Sequence, residues 1–319
     1  WLIADVYSRI SEQMRTLFDF FATETEQAGG KRQLTSFRSL VFDHVRFRYP
    51  HTDRDVLTDV SFTLHRGDKL SIAGINGSGK STIIKLMIGL YEPEAGQILV
   101  NGYPMSDYDI RDVRKLFSTL FQSFAQYPLT LRENIALGSL EERENDAKIE
   151  SVMEKAGIGY LADKIGGLDR TISKMYASDG VEISGGEWQK VAIARAYMGD
   201  RKLMIFDEPT ASLDPLSEIR QFQTICNDFH GKTILFTSHR IGLARMADRI
   251  VVLDDGRVHG VGTHEELLAG DSIYQEIYAS QMEFAGNADA GDGCDDGCAN
   301  DPFSSVPSRS PLEGGECHA

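Results

Sequence analysis

The feature that most constrains this chain is the stretch GINGSGKST, which follows the short apolar run KLSIA at residues 69–73. Residues 74–81 fit the spacing G-x-x-x-x-G-K-[S/T], and the apolar run TIIKLMIGL comes next at helical period. In that context, a strand enters a glycine-rich turn and a helix leaves it, which is how phosphate-binding loops are built. The sequence therefore predicts an α/β protein that binds a phosphorylated ligand.

Each part of this loop has an expected role. Backbone N–H groups of residues 75–82 and the helix N-terminus are expected to surround the phosphates. Lys80 would neutralise the β- and γ-phosphates, and the Ser81 hydroxyl would bind Mg²⁺. The alternative, a glycine-rich turn with a solvated lysine, is disfavoured by the flanking strand and helix. The predicted nucleotide contacts here are Gly74, Asn76, Gly77, Ser78, Gly79, Lys80, Ser81 and Thr82.

A second motif, LMIFDEPTASLD, places two acidic residues after an apolar run. A buried strand that ends in Asp207 would present this carboxylate at the carboxyl edge of the sheet, where ligands bind. Asp207 is therefore predicted to hold the Mg²⁺ shell. Glu208 points in a different direction and is predicted to polarise an attacking water. Adjacent acids are more often a solvated turn, but their place after a strand in a chain with a phosphate loop favours function.

Composition excludes several classes of protein. The net charge of −15 argues against a nucleic-acid partner, because phosphate backbones need a basic surface. Four cysteines in 319 residues do not indicate a disulfide framework. No apolar run approaches the ~18 residues of a membrane-spanning helix. The start at Trp1 rather than Met is compatible with a fragment of a longer protein.

Hydrophobic patterning divides the chain into segments. Residues 1–28 predict an amphipathic helix, either packed on the domain or forming the cytoplasmic end of a transmembrane helix, and residues 29–36 a linker. Residues 37–283 combine alternating runs typical of antiparallel strands with fully apolar runs typical of parallel strands. The stretch from about 123 to 200 predicts an inserted helical subdomain. Residues 284–319 predict an acidic, disordered tail.

Three cysteines and a histidine in that tail have side chains that can bind metal, but their spacing disfavours a zinc site. Cys294 and Cys298 have three residues between them, which is a poor spacing for zinc, and their surroundings are polar and acidic. Cys317 and His318 lie near the end of the same segment. The sequence gives no functional account of this tail.

Taken together, the motifs of residues 37–283 resemble the nucleotide-binding domain of ABC transporters. Each motif beyond the phosphate loop is weak alone, but their order and spacing agree with the family throughout. The further matching residues are Tyr49 in FRYP, Gln122 in LFQSF, Ser184, Gly185 and Gly186 in ISGGEWQ, Ser212, Leu213 and Asp214 after the acidic pair, and His239 in FTSHR.

This resemblance implies a P-loop NTPase (RecA-like) core with an antiparallel β subdomain and an inserted helical signature subdomain. It implies that Tyr49 stacks on adenine, that Gln122 joins Ser81 and Asp207 around Mg²⁺, and that the reaction is ATP hydrolysis. The catalytic residues it implies are Glu208, His239, Gln122 and Lys80.

The resemblance also implies a head-to-tail dimer that holds two ATP molecules, one against each phosphate loop. The second glycine-rich motif, at Ser184–Gly186, would then contact the ATP held by the partner, with Glu187 and Asp214 nearby. Its position at a predicted helix start suits negative charge, and its glycines allow close approach. The expected partner is a second such domain, most simply an identical chain.

Two stretches resemble bacterial exporters in particular, including some that export lantibiotic peptides: SGGEWQK and YPLTLRENIALG. The stretch YASDG stands where exporters usually carry a Gly-Glu-Arg-Gly-like sequence. An exporter would place a transmembrane domain upstream of Trp1 and this domain on the cytoplasmic face of a membrane, such as the bacterial inner membrane. The sequence leaves the exported substrate open.

Three alternative functions predict different sequence features. A soluble ABC ATPase of DNA repair or translation would separate the motifs by coiled coils or carry two cassettes. A nucleotide-sensing module without turnover commonly lacks one or both residues matched here by Glu208 and His239. An importer ATPase would normally lack the amphipathic segment at residues 1–28.

Overall fold

The computed structural model describes residues 14–15, 30, 32–175, 179–208, 222–224 and 231–289. The strands are β1 Ser39–Phe47, β2 Leu57–His65, β3 Lys69–Ala73, β4 Ala95–Val100, β5 Tyr103–Pro104, β6 Phe117–Leu120, β7 Leu203–Asp207, β8 Thr233–Ser238, β9 Arg249–Asp254 and β10 Arg257–Gly262. The α-helices are α1 Lys80–Met87, α2 Ile110–Arg114, α3 Leu131–Ala136, α4 Asp146–Lys155, α5 Leu161–Ile165, α6 Gly185–Gly199, α7 Ile241–Ala244, α8 His264–Gly270 and α9 Ser272–Asp289.

The strands form one mixed sheet in the order β5-β4-β1-β2-β10-β9-β3-β8-β7-β6. Strand β1 pairs antiparallel with β2 and β4, whereas β3, β8, β7 and β6 run parallel to their neighbours, and β9 is parallel to β3. The two regions meet where β2 pairs with β10 at Asp59 and Arg257. The predicted antiparallel region and parallel α/β core are both confirmed.

The parallel strands explain where a ligand can bind. Every residue of β7 and β8 is buried, as expected for parallel strands with both faces covered. Ala73 at the end of β3 lies opposite Ser238 of β8, and Asp207 at the end of β7 lies opposite Thr237 of β8. Because neighbouring parallel strands end at the same edge, the segments that leave β3, β8, β7 and β6 converge there.

Several local predictions from the sequence are confirmed. Strands β9 and β10 form a hairpin, and its turn residues Asp255 and Gly256 both have left-handed backbone angles, with φ of 38° and 74°. Helix α8 begins with a capping box between Thr263 and Glu266. These turns and caps use residue types whose conformational preference is local, which is why the sequence predicts them.

The segment between β6 and β7 forms the predicted helical subdomain. Among its described residues, helices α3 to α6 follow one another without an extended strand. The buried indole of Trp188 on α6 belongs to a core cluster with residues from α4 and α5. Arg132 on α3 forms ion pairs with Asp146 and Asp169, which ties α3 to the segments around it.

Both ends of the chain lie largely outside the described residues. Of the predicted N-terminal helix, only Met14 and Arg15 are described, and both are helical. Helix α9 continues to Asp289, past residue 284, where the sequence predicts the start of the tail. The helix-favouring run QMEFA continues the helical pattern across that boundary. Residues 290–319, with the cysteines of the tail, lie outside the described part.

No helix in the described part of the chain combines the length and the hydropathy needed to cross a bilayer.

Candidate active site

The phosphate loop connects the end of β3 to the start of α1, as the sequence predicts. Gly79 caps α1 with a φ of 108°, and Gly77 has a φ of 83°, both in the left-handed region that favours glycine. At Gly74 a Cβ would lie 2.3 Å from the carbonyl oxygen of Leu253, so only glycine fits. Backbone N–H groups at the N-terminus of an eight-residue helix thus border an anion cradle.

Lys80 is buried inside this cradle. Its Nζ donates hydrogen bonds to the carbonyl oxygens of Gly74 at 2.9 Å and Ile75 at 3.0 Å. The same nitrogen lies 3.6 Å from Oε1 of Glu208. Burial lowers the pKa of Lys80, and the negative charges of Glu208 and Asp207 oppose that effect. The ammonium group is therefore held at the place where phosphate charge is expected.

Asp207 and Ser81 come together at the end of β7. The Ser81 hydroxyl donates to Oδ1 of Asp207 at 3.1 Å, and the Thr237 hydroxyl donates to the same oxygen at 2.7 Å. Hydroxyl and carboxylate oxygens are the ligands that Mg²⁺ prefers. The donor set therefore fits the predicted metal. Gln122, the third predicted ligand, instead donates from Nε2 to Oε2 of Glu208 at 3.0 Å.

Glu208 adopts an unusual backbone conformation. Its φ is 47°, in the left-handed region that non-glycine residues rarely enter. The Glu208 N–H donates to the Thr237 hydroxyl at 3.1 Å, which holds the turn in place. The chain thus turns directly after Asp207, so the two neighbouring carboxylates serve different parts of the site. Strained residues of this kind cost about 1–3 kcal/mol and cluster at functional sites.

The Glu208 carboxylate gathers three predicted catalytic side chains around it. Its oxygens contact Lys80 and Gln122, and Oε1 lies 3.4 Å from Nδ1 of His239. At this distance the two atoms are in contact, although the buried Nδ1 has no hydrogen-bond partner among the described residues. The contact with His239, and then the charge of Lys80, lower the pKa of Glu208, against the opposing effect of burial. The carboxyl is thus ionised at neutral pH, as a general base requires.

Tyr49 lies beside the first turn of α1. Its hydroxyl is 3.0 Å from Oγ1 of Thr82 and accepts a hydrogen bond from Nζ of Lys85 at 3.2 Å. Its ring packs edge-on against Phe47 and Tyr91, with centroids 5.1 and 5.3 Å away. The aromatic ring is therefore fixed next to the phosphate loop, where a nucleotide base is expected.

We expect Tyr49→Ala to weaken ATP and GTP binding alike. A ring face stacks on any purine and contributes about 1–3 kcal/mol, so the two nucleotides should bind to the unmutated chain within about tenfold of each other. Tyr49→Phe, which keeps the ring, is the matched control. Equilibrium binding of both nucleotides measures the effect, and unchanged affinity in Tyr49→Ala would identify Tyr49 as a packing residue only.

The second glycine-rich motif, Ser184–Gly186, lies at the start of α6 and is called the signature motif below. Ser184 is the N-cap and forms a capping box with Glu187, while Ser184, Gly185 and Gly186 are all exposed. A Cβ at either glycine would meet nothing within 4 Å, so these positions face open space. Within the described residues, this motif shares no hydrogen bond or ion pair with Lys80, Glu208 or their partners. Among the described residues of one chain, the two glycine-rich motifs therefore make no direct polar contact with each other.

Glu187, which the sequence predicts as a nucleotide contact, already has partners within its own chain. Its carboxylate is buried and accepts hydrogen bonds from the Ser184 N–H and hydroxyl, from Lys164 and from Tyr160. A carboxylate engaged in this way favours a role in holding the motif rather than in touching phosphate. Asp214, the remaining predicted contact, lies outside the described residues.

The sequence did not single out two residues that the structure places at the site. Thr237 connects Asp207 to the Glu208 N–H, and its place next to SHR at the end of β8 was the available signal. Gln281 on α9 donates from Nε2 to the carbonyl of His239 and accepts from the Ile241 N–H at 2.7 Å. This amide fixes the segment that carries His239, and no local pattern around position 281 indicates it.

A phosphate loop, a Ser81–Asp207 pair and an ionised Glu208 beside Lys80 together define a nucleoside-triphosphate site of the P-loop class. Comparison with known proteins identifies the family. The sequence profile described as "ABC transporter" matches residues 57–211. This chain therefore contains an ABC transporter ATPase domain, which is the part described above.

Curated relatives and a solved structure agree with this assignment. The subtilin transport ATP-binding protein SpaT of Bacillus subtilis is 35% identical over 284 residues, which are 88% of this chain and 46% of that protein. The nisin transport ATP-binding protein NisT of Lactococcus lactis subsp. lactis is 36% identical, over 75% of this chain and 40% of that protein. A bacterial Atm1-family ABC exporter with ATP bound superposes with a TM-score of 0.75 at 30% identity, over 84% of this chain and 46% of that chain. The chain spans less than half the length of these relatives.

Proposed function

We propose that this chain is the ATP-binding and ATP-hydrolysing part of an ABC exporter and works as a head-to-tail dimer. The observation that carries the hydrolytic part is the turn at Glu208, which faces its carboxylate toward Lys80, Gln122 and His239. A module that only senses nucleotide has no use for this arrangement. The similarity to SpaT, NisT and an Atm1-family exporter supports the export part over DNA repair, translation or import.

Each of these residues has a separate role in ATP hydrolysis. Glu208 takes a proton from the attacking water, the water oxygen bonds to the γ-phosphorus, and the bond to the β-phosphate oxygen breaks to leave ADP and phosphate. Lys80 stabilises negative charge on the transferred group, since its ammonium is already held within the loop. His239 and Gln122 position the Glu208 carboxylate from either side.

Ser81 and Asp207 are the residues that would hold Mg²⁺, because their oxygens lie together beside the loop. When bound, Mg²⁺ supplies positive charge that neutralises the phosphate oxygens. Gln122 was predicted as a further ligand, and its exposed amide is within reach of Glu208 on the same side of the site.

We expect phosphate release from ATP to require Mg²⁺. Chelation with EDTA should abolish it, and excess Mg²⁺ should restore it. Asp207→Asn should raise the Mg²⁺ concentration needed for half-maximal rate by about tenfold or more, because it removes the charge of a metal-side carboxylate. Asp163→Asn, an exposed change on α5, is the control. Phosphate release that persists in EDTA would contradict the metal assignment.

The export part predicts a further domain. We propose a transmembrane domain encoded upstream of Trp1, with this domain on the cytoplasmic face of the membrane. The coding sequence before Trp1 should therefore contain about six hydrophobic segments of about 20 residues each. A gene that begins at Trp1, with no membrane subunit beside it, would count against the exporter and leave the ATPase assignment in place.

A further inference from the structure

The buried carboxylate of Glu187 lies directly behind the signature serine. Its Oε2 accepts hydrogen bonds from the Ser184 N–H at 2.8 Å and from the Ser184 hydroxyl at 2.9 Å. Its Oε1 accepts from Nζ of Lys164 at 2.6 Å and from the Tyr160 hydroxyl at 3.2 Å. The Glu187 side chain is 8% exposed. Two residues of the preceding helical segment thus reach the signature motif through one carboxylate.

Burial of the Glu187 carboxylate is unfavourable by itself, and Lys164 offsets this effect. A carboxylate removed from water is unfavourable unless a positive charge and hydrogen bonds compensate it. Lys164 supplies that charge and is the main cause of the low pKa of Glu187, about 2, ahead of the hydrogen bonds from Ser184 and Tyr160. Without Lys164, an uncompensated negative charge would stand beside the exposed motif that is expected to meet a phosphate.

The Ser184 hydroxyl gives this pair a link to function. A hydroxyl has one proton to donate, and here that proton is directed at Oε2 of Glu187. The serine must leave this acceptor before it can donate to a phosphate oxygen. The carboxylate then retains Lys164 and Tyr160 as donors, so its charge stays compensated while the serine is released.

We propose that Lys164 is a positioning residue for the signature motif. Lys164 acts through Glu187 and keeps Ser184 in the position from which it contacts the γ-phosphate of a nucleotide bound by a second copy of this chain. This inference rests on the proposed function. An ordinary surface ion pair would contribute little, and Lys164 itself is half exposed. Its partner, however, is buried, and removal of one partner of a buried charge has a much larger effect than removal of a surface ion.

The first test compares Lys164→Met, Lys164→Arg and the control Lys155→Met, an exposed lysine at the end of α4. Lys164→Met should lower the kcat for ATP about tenfold, while KM changes less than about twofold, because the motif is needed only in the closed dimer. Lys164→Arg should retain most of the rate, and Lys155→Met should match the unmutated chain. An unchanged kcat in Lys164→Met, or a change in KM alone, would overturn the proposal.

The second test places Lys164→Met in a Glu187→Gln background. The neutral amide can still accept from Ser184 but needs no opposite charge, so Lys164→Met should have little further effect on kcat there. If the two substitutions each lower kcat by the same factor alone and in combination, the proposal is overturned. That result would show that Lys164 does not act through Glu187.

A double-mutant cycle measured by urea unfolding without nucleotide separates this inference from the proposed function. It uses the unmutated chain, Lys164→Met, Glu187→Gln and the variant that carries both substitutions. If the unmutated chain hydrolyses no ATP, the proposed function fails. The inference still requires the two substitutions to be coupled in the unfolding midpoint. Independent midpoint shifts would overturn it, and coupled shifts in an active chain would support both.

Discussion

Glu208→Gln should bind ATP with nearly unchanged affinity and lose turnover by about 10²–10⁴-fold, the range typical for removal of a general base. The amide can still contact Gln122 and His239, but it cannot accept the proton of the attacking water. Loss of one negative charge also leaves the positive charge of Lys80 less compensated, which favours retention of the nucleotide. The expected product is a dimer trapped by ATP.

Two measurements check this result: steady-state phosphate release, and the elution volume of the chain on size exclusion with and without ATP. Glu150→Gln, an exposed change on α4, is the matched control and should behave as the unmutated chain. Activity of Glu208→Gln within a few fold of the unmutated rate would remove Glu208 from the role of base. His239 would then be the next residue to test.

Two inactive variants should restore activity to each other when mixed. Lys80→Ala disables the phosphate loop of one chain, and Ser184→Arg obstructs the signature motif of the other. Each homodimer has two broken sites and should be nearly inactive. In the mixed dimer both lesions fall on one composite site, and the second site joins an intact loop to an intact motif. Each mixed dimer should have about half the activity of an unmutated dimer if the two sites act independently, and less if they are coupled, so an equal mixture that pairs at random should reach about a quarter of the normal rate.

This expectation rests on the finding that, among the described residues of one chain, Ser184 shares no hydrogen bond or ion pair with Lys80 or Glu208. The measurement is ATPase rate against mixing ratio, at concentrations that permit dimers. A mixture that stays inactive while heterodimers form would mean either obligate coupling of the two sites or a wrong assignment of the motif. A crosslink from position 184 to the partner's phosphate loop, formed only with ATP, separates these outcomes.

Much of the site could be predicted from sequence because it depends on local chemistry. The phosphate loop needs glycines at fixed positions, the acidic pair follows an apolar strand, and capping boxes need a serine or threonine three residues before a glutamate. Each of these constraints is visible within about ten residues. The resemblance to a family then added Tyr49, Gln122 and His239, whose residue types alone indicate little.

The rest depends on contacts between distant segments. Nothing near Gln281 shows that its amide will hold the segment after β8, and nothing near Lys164 shows that it will reach Glu187. The left-handed turn at Glu208 is also hidden, because glutamate does not ordinarily favour that conformation. It is imposed by the end of β7 and by the hydroxyl of Thr237. Such features become visible only when these distant segments come together in the folded chain.

Because of the strand order, the strand that precedes the phosphate loop is synthesised long before the strands that pair with it. Strand β3 carries the phosphate loop and ends at Ala73, yet its two neighbours are β8, which begins at Thr233, and β9, which ends at Asp254. At about 5–20 residues per second, a ribosome needs on the order of ten to thirty seconds to make the chain between them. During that interval β3 lacks both of the strands that pair with it in the finished sheet, so its apolar residues are not yet covered as they are in the folded protein. A premature stop codon before Thr233 would make this exposure permanent, so a shortened product would be a substrate for proteolysis rather than a smaller ATP-binding protein.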